Sequence, residues 1–170
     1  MTGTTTLSLG GLLAALLVLY ANLRPWWAGG RDVKQLAPFG KGLAGALAAS
    51  ACPGGVLGWT RHRAGAVANT TGETVGTGAT GAAQESTVSA GQMTGLLGVG
   101  AVVVVLVVFA TFLAWKAANP KDKRRIVGGA FVGLVATLTA GVAGALDWLP
   151  GALNGLGDGI VALVEGANLL

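Results

Sequence analysis

A glycine-rich segment is the first place where the sequence could carry out chemistry. Gly76-Thr77-Gly78-Ala79-Thr80-Gly81 matches the G-x-G-x-x-G pattern of dinucleotide-binding loops. Such a loop follows a strand, opens a helix and has an acidic residue about 20 residues further on. The flanking sequence predicts none of this context, so we interpret the segment as part of a flexible loop.

Cys52 and His62 are the only thiol and the only imidazole in the chain. A zinc site needs more ligands than these two residues supply. A Cys–His catalytic pair would need an exposed cysteine, whereas Ala49-Ser50-Ala51-Cys52-Pro53 is typical of a small, apolar segment that ends a helix. We therefore predict a protein that is not an enzyme, with no catalytic residue, no cofactor and no metal.

The composition is that of a protein in a membrane. Hydrophobic residues make up 52% of the 170 residues and charged residues only 11%. Uncharged runs extend from Ser86 to Trp115 and from Ile126 to Leu146, and each exceeds the roughly 20 residues needed to cross a hydrocarbon layer of ~30 Å. We predict an all-α integral membrane protein.

Hydropathy divides the chain into four parts. Residues 1–59 contain two apolar spans, 7–23 and 36–59, and the second is weaker because it is rich in Gly and Ala and contains Lys41 and Pro53. An interfacial or re-entrant segment is the alternative for 36–59. The other parts are a Gly/Thr/Ser-rich extracytoplasmic loop at 60–92, a transmembrane hairpin at 93–148 with a basic loop at 116–125, and an amphipathic tail helix at 149–170. The hairpin supplies the third and fourth of about four spans.

The basic residues fix the expected orientation. The chain has eleven of them and a net charge of +4, and no aromatic residues alternate with them to indicate nucleic-acid binding. All except Arg61 and Arg63 fall into two groups beside apolar runs, namely Arg24, Arg31, Lys34 and Lys41, and then Lys116, Lys121, Lys123, Arg124 and Arg125. The positive-inside rule places both groups in the cytoplasm and both termini outside a multi-pass cell-membrane protein.

The tail has a helical period with two distinct faces. An apolar arc carries Leu149, Leu153, Leu156, Ile160, Leu163, Val164, Ala167 and Leu170, and the opposite side carries Asn154, Asp158, Glu165 and Asn168. Because that polar face has acids and no Lys or Arg, attraction to anionic lipid is absent. We expect the apolar arc to pack against the protein's own spans or against a partner.

Small residues four positions apart mark candidate helix-packing surfaces. In the fourth span they are Gly129, Gly133, Thr137 and Gly141, and this spacing lets two helix backbones approach closely. We expect contacts through such faces with a second copy or with other membrane proteins, in addition to the lipid bilayer.

The stretch from Leu96 to Leu146, two apolar helices around Lys116-Ala117-Ala118-Asn119-Pro120-Lys121-Asp122-Lys123-Arg124-Arg125, resembles the helical hairpin of type IV secretion pilins. It is also similar to the small multi-span spread proteins of actinobacterial conjugative plasmids. The resemblance covers about a third of the chain and depends on hydropathy and loop charge. It implies a structural or assembly component of a conjugation, secretion or phage-related membrane apparatus. A holin-like or oligomeric pore-forming protein is the alternative.

The orientation can be tested by labelling. In a Cys52→Ala background, we expect Lys121→Cys to react with a membrane-impermeant maleimide only after cells are permeabilised, because the basic loop is cytoplasmic. Thr77→Cys, in the opposite loop, should react in intact cells. Labelling of residue 121 from outside would invert the assigned orientation.

Overall fold

The architecture consists mainly of helices. A computed structural model describes residues 6–81 and 86–166. The helices in these ranges confirm the prediction of an all-α fold. A two-stranded antiparallel pair, β1 (Leu7–Ser8) and β2 (Thr87–Val88), lies beside the helices. The helices are α1 (Leu9–Ala28), α2 (Ala37–Ser50), α3 (Gly55–Thr80), α4 (Gly98–Ala117), α5 (Pro120–Ala136), α6 (Ala140–Ala145) and α7 (Leu149–Gly166), with a 3-10 turn at Val33–Gln35.

Two of these helices are long and apolar enough to cross a membrane. They are α1 and α4, and the bent pair of α2 and α3 would make a third if it forms one broken span. In α4 the mean hydropathy reaches 2.5 although only 17% of the apolar window is buried inside the protein. An apolar surface this exposed suits hydrocarbon better than water, so membrane association follows from the two or three helices.

The segment 36–59 is not one continuous helix. α2 ends at Ser50, and the chain bends by 116° before α3 begins. Pro53 has no N–H and biases Cys52 away from helical geometry, while Gly55 has a positive φ of 67°. The re-entrant alternative for this segment is therefore compatible with the bend.

The prediction of a flexible loop over 60–92 is wrong for residues 60–80, which belong to α3. Glycine and threonine are poor helix formers, but packing against α1 compensates for them. The backbones of Gly72 and Gly10 are so close that a Cβ atom on either would overlap the other helix. Threonine hydroxyls are satisfied within the helix, as where Thr74 Oγ1 donates to the carbonyl of Thr70 at 2.8 Å.

The predicted fourth span is interrupted. α5 ends at Ala136 and α6 begins at Ala140, so the helix after Ile126 covers only about 16 Å at 1.5 Å per residue. The two helices of the predicted hairpin, α4 and α5, also have different neighbours from those expected. α5 packs mainly on α2 and then on α1, and α4 packs mainly on α7 and then on α2. α4 and α5 share only minor contacts. The hairpin is thus a connection in sequence rather than a closely packed pair.

The tail helix α7 packs on α4 with a face that includes Leu149 and Leu153 of the expected apolar arc but is rotated from its centre. Pro150, Leu153 and Gly157 are buried, and a Cβ atom on Gly157 would approach the carbonyl oxygen of Val99 to 2.5 Å. The members of the apolar arc at Leu156 and Leu163 are instead 61% and 74% exposed. The close approach at Gly157 and the hydrogen bond that Asn154 Oδ1 accepts from the Leu97 N–H at 2.9 Å set this rotation of α7. Residues 167–170 of the predicted tail lie outside the described ranges.

The closest helix pair, α2 with α5, is built from facing rows of small residues. Gly129 lies against the backbone of Phe39 and Leu43, and a Cβ atom on Gly133 would approach that of Ala46 to 2.8 Å. On the other side, Gly42 lies against the carbonyl of Ile126. Because later residues of α2 meet later residues of α5, the two helices run in the same direction.

A pair of alanine substitutions tests this contact. Gly129→Ala should lower the free energy of unfolding by about 1–3 kcal/mol, because the added methyl group overlaps the α2 backbone and forces the helices apart. Gly141→Ala is the matched control: it has open space in α6 and should be neutral or stabilising by up to about 1 kcal/mol. Unfolding by sodium dodecyl sulfate titration from mixed micelles measures both, and equal effects would contradict the contact.

Candidate functional site

The breaks in the helices place polar side chains in the interior. α2 ends at Ser50, and Thr137 is the residue that follows the last turn of α5. These two residues lie side by side, and both are buried. Thr137 Oγ1 donates a hydrogen bond to Ser50 Oγ at 2.8 Å, and Ser50 Oγ donates to the carbonyl of Ala46 at 2.8 Å. The two helix ends are therefore joined by side-chain hydrogen bonds within one small polar cluster.

Arg61 completes this cluster from α3. Its side chain is only 5% exposed, and its Nη2 donates to the carbonyl of Thr137 at 2.8 Å and to that of Gly91 at 2.5 Å. The carbonyl of Thr137 stands at the C-terminal end of α5, where the partial negative charge of the helix favours a cation. Both acceptors are backbone carbonyls, so Arg61 supplies donors where the α5 helix has stopped providing them.

The segment after β2 forms backbone hydrogen bonds with the residues at the break between α5 and α6. The Gly91 N–H donates to the carbonyl of Leu138 at 2.8 Å, and the Ala140 N–H donates to that of Ser89 at 2.9 Å. Thr139 Oγ1 caps α6 by accepting from the Val142 N–H at 3.3 Å. Through Gly91 and Thr137, one guanidinium connects three segments: α3, the strand-like segment at 89–91 and the break between α5 and α6. Arg61 Nε is buried and has no hydrogen-bond partner among the residues that the structure describes.

The cluster, defined as Ser50, Arg61, Thr137 and Thr139, can donate hydrogen bonds and hold a positive charge. Its hydroxyls and guanidinium have no general base or thiolate among them, so its direct role is to join helix ends. Within residues 6–81 and 86–166, His, Cys, Asp and Glu form no group of three or more that could hold a metal ion.

The cysteine and the histidine considered first for chemistry are neighbours in sequence of cluster residues but are not members of the cluster. Cys52 is half-buried and packs against an apolar cluster around Val104 and Leu153. His62 is exposed on α3. The G-x-G-x-x-G match forms the end of α3, where Gly81 is a left-handed C-cap with φ of 69°, whereas a phosphate loop opens a helix.

The structure brings together most of the predicted packing residues. Gly129, Gly133 and Thr137 lie on the side of α5 that faces α2. Gly141 lies in α6 with open space around it, because the break at 137–139 changes the direction of the row. Its predicted place on the same packing surface is therefore wrong.

The two basic groups approach each other at one end of the bundle. Arg125 Nη1 donates to the carbonyl of Gln35 at 2.7 Å, and one cavity is lined by both Lys41 and Asp122. Arg31 lies over the ring of Trp27 at 5.9 Å and Lys123 over that of Trp115 at 5.4 Å. Arg24, Lys34, Lys116, Lys121 and Arg124 belong to the same segments. The side of the membrane on which this end lies stays a prediction.

Arg61 is the residue that the sequence analysis missed, because hydropathy assigned it to a loop. A signal was present: the buried residues of α3 are Gly58, Arg61, Gly65, Ala68 and Gly72. They recur every three or four positions, as on one helix face. The face consists mainly of glycine and alanine, whose hydropathy is too low to mark a buried face. A hydropathy profile therefore assigns Arg61 to a solvent-exposed loop.

No family model, curated protein or solved structure matches this chain.

Removal of the buried guanidinium tests its role. Arg61→Met should lower the free energy of unfolding by about 2–4 kcal/mol, because two buried carbonyls lose their donor at about 1–3 kcal/mol each. Arg63→Met is the matched control: Arg63 is exposed over the ring of Trp59 at 5.1 Å, and its loss should cost less than about 1 kcal/mol. Denaturant titration in detergent micelles compares them, and an equal loss in both variants would refute the role.

Proposed function

We propose that this chain is a non-enzymatic integral membrane protein that assembles with further copies of itself as a structural component of a membrane apparatus. The observation that carries the proposal is a row of glycines on α7. Gly151, Gly155 and Gly159 recur every four residues. Apart from the adjoining turns of α7 itself, no described part of the protein lies within 4 Å of where their side chains would begin.

The same spacing already joins two helices inside this protein. Gly42, Ala46 and Ser50 on α2 meet Gly129, Gly133 and Thr137 on α5. In a bilayer, helices associate through such close packing rather than through the hydrophobic effect. The α7 row has an equivalent pattern and faces no other helix within residues 6–81 and 86–166, so it suits a helix from a second copy.

The apolar side chains beside that row favour contact with protein or lipid rather than water. Trp148, which precedes α7, and Leu156 and Leu163 on α7 are 64%, 61% and 74% exposed. At about 100° per residue the two leucines lie on one flank of Gly155, and the exposed Asp158 lies on the other flank. Together with the row they form an assembly face on α7. The expectation of assembly through Gly129 and Gly133 is replaced by this face, since α2 already covers those two glycines.

The kind of apparatus is proposed on the resemblance of residues 96–146 to pilins and spread proteins. That resemblance implies a structural or assembly component. The loose contact between α4 and α5 leaves most of the apolar α4 surface available to lipid or to a neighbouring subunit.

Substitution in the row tests assembly. Gly155→Leu should abolish cross-linked dimers and higher species in native membranes, because the side chain separates the two helices. Gly144→Leu, which also enters open space, should cross-link as the wild type does. The melting temperature of each variant in detergent verifies that the fold is retained.

A wild-type chain that is strictly monomeric in native membranes would contradict the proposal. Collapse of the membrane potential on induced expression would instead favour the holin-like alternative.

A further inference from the structure

A basic cavity lies between α1 and α5 at the end of the bundle where the basic groups meet. Its volume is about 480 Å³, and it is lined by Ala21, Asn22, Pro120, Lys121, Arg124 and Arg125. Three of these six residues are cations and none is an acid. The cavity therefore has an uncompensated positive charge in the part of the chain that the structure describes.

The nearest acidic residue in sequence faces elsewhere. Asp122 accepts a hydrogen bond from Asn119 Nδ2 at 2.8 Å and lines a separate cavity with Lys41. Arg125 is held in place by its hydrogen bond to the carbonyl of Gln35. Lys121 and Arg124 are exposed and can turn their charged groups towards a bound anion, and Arg in particular matches the oxygens of a phosphate.

A second, apolar cavity lies further along α1, mainly between α1 and α3. It has a volume of about 430 Å³ and is lined by Leu13, Leu17 and Val18 of α1, Val75 of α3 and Phe131 of α5, among others. Val18 stands one helical turn before Asn22 of the basic cavity, and Phe131 stands two turns after Arg124. At 1.5 Å per residue these steps are about 6 Å and 10 Å.

A phospholipid has a charged headgroup followed by apolar acyl chains. The basic cavity and the apolar cavity follow each other along α1 in the same order. A free phosphate would use only the basic cavity, whereas the apolar cavity fits a hydrocarbon chain that continues from the same molecule. Tryptophans 26 and 27 end α1 near this site, as expected at the level of lipid headgroups. Basic pockets between helices at that level are typical sites for anionic headgroups.

We propose that this protein binds an anionic phospholipid, with the phosphate among Lys121, Arg124 and Arg125 and an acyl chain between α1 and α3. The charged residues provide selection for anionic over zwitterionic headgroups, and the apolar cavity provides selection for lipid over soluble phosphate. The site is distinct from the assembly face on α7 and does not depend on it.

Binding to the full chain in detergent micelles tests the proposal, with dioleoyl phosphatidylglycerol and dioleoyl phosphatidylcholine as probes in native mass spectrometry. We expect phosphatidylglycerol to bind more tightly. Lys121→Gln with Arg124→Gln should weaken it about 10-fold or more, at the scale expected for two charges near a lipid surface. Lys34→Gln with Lys116→Gln removes the same charge from two residues that do not line the cavity. It should change affinity less than about 2-fold, because salt screens charges that do not contact the phosphate.

A separate variant tests the role of the apolar cavity. Val75→Trp should fill the cavity and weaken phosphatidylglycerol binding about 3-fold or more, since an apolar group of this size contributes on the order of 1 kcal/mol. Val67→Trp, at an exposed position of the same helix outside the cavity, is its control.

Three results would overturn the proposal. The first is equal affinity for the two lipids. The second is unchanged phosphatidylglycerol binding by the Lys121→Gln, Arg124→Gln variant. The third is competition by soluble glycerol phosphate as effective as that by the lipid, which would assign the basic cavity to a free phosphate.

Discussion

The fold depends on satisfying backbone carbonyls where helices stop inside the protein. Hydrocarbon provides no hydrogen-bond donor, so an interrupted helix is stable there only if other protein groups replace the missing bonds. Arg61 does this at the end of α5, and Ser50, Thr137 and the Gly91 segment complete the arrangement. Its charge is stabilised by backbone carbonyl dipoles, one of them at a helix C-terminus. The break after α5 therefore depends on a cation that α3 supplies, although Arg61 and Thr137 are far apart in sequence.

Small residues explain how the other helices come close enough to use that cation. Rows of glycine and alanine bring α2 onto α5 and α3 onto α1, so that backbone meets backbone. Close packing of this kind supplies dispersion contacts where the hydrophobic effect between helices is weak. The large apolar side chains of α4, such as Phe109 and Leu106, are then about half exposed on the outside. The usual arrangement of soluble proteins is partly reversed, with small residues inside and many bulky ones outside.

Hydropathy predicted α1 and α4 well because both are continuous apolar segments whose surroundings hardly affect the pattern. It could not predict α3, because Gly and Thr favour a loop by themselves and become helical only through contact with α1. The break at Thr137 was equally hidden: Thr and Leu are ordinary in a membrane helix, and only pairing with residues 89–91 shows why the helix stops. Tail residues 149–166 were correctly predicted as a helix, but Asn154 was assigned to the polar face. Its amide in fact binds the start of α4, accepting from the Leu97 N–H at 2.9 Å and donating to the carbonyl of Gly95 at 2.9 Å.

Glycine rows of one spacing therefore have two different meanings in this chain, and only the surroundings separate them. Gly129 and Gly133 are covered by α2, so a larger side chain there acts on folding of the single chain. Gly151, Gly155 and Gly159 have open space, so a larger side chain there leaves internal packing unchanged and acts only on what approaches from outside. A sequence with 30 glycines in 170 residues offers many rows of both kinds. Burial, rather than spacing, decides which of them belongs to the internal packing of the fold and which lies on its surface.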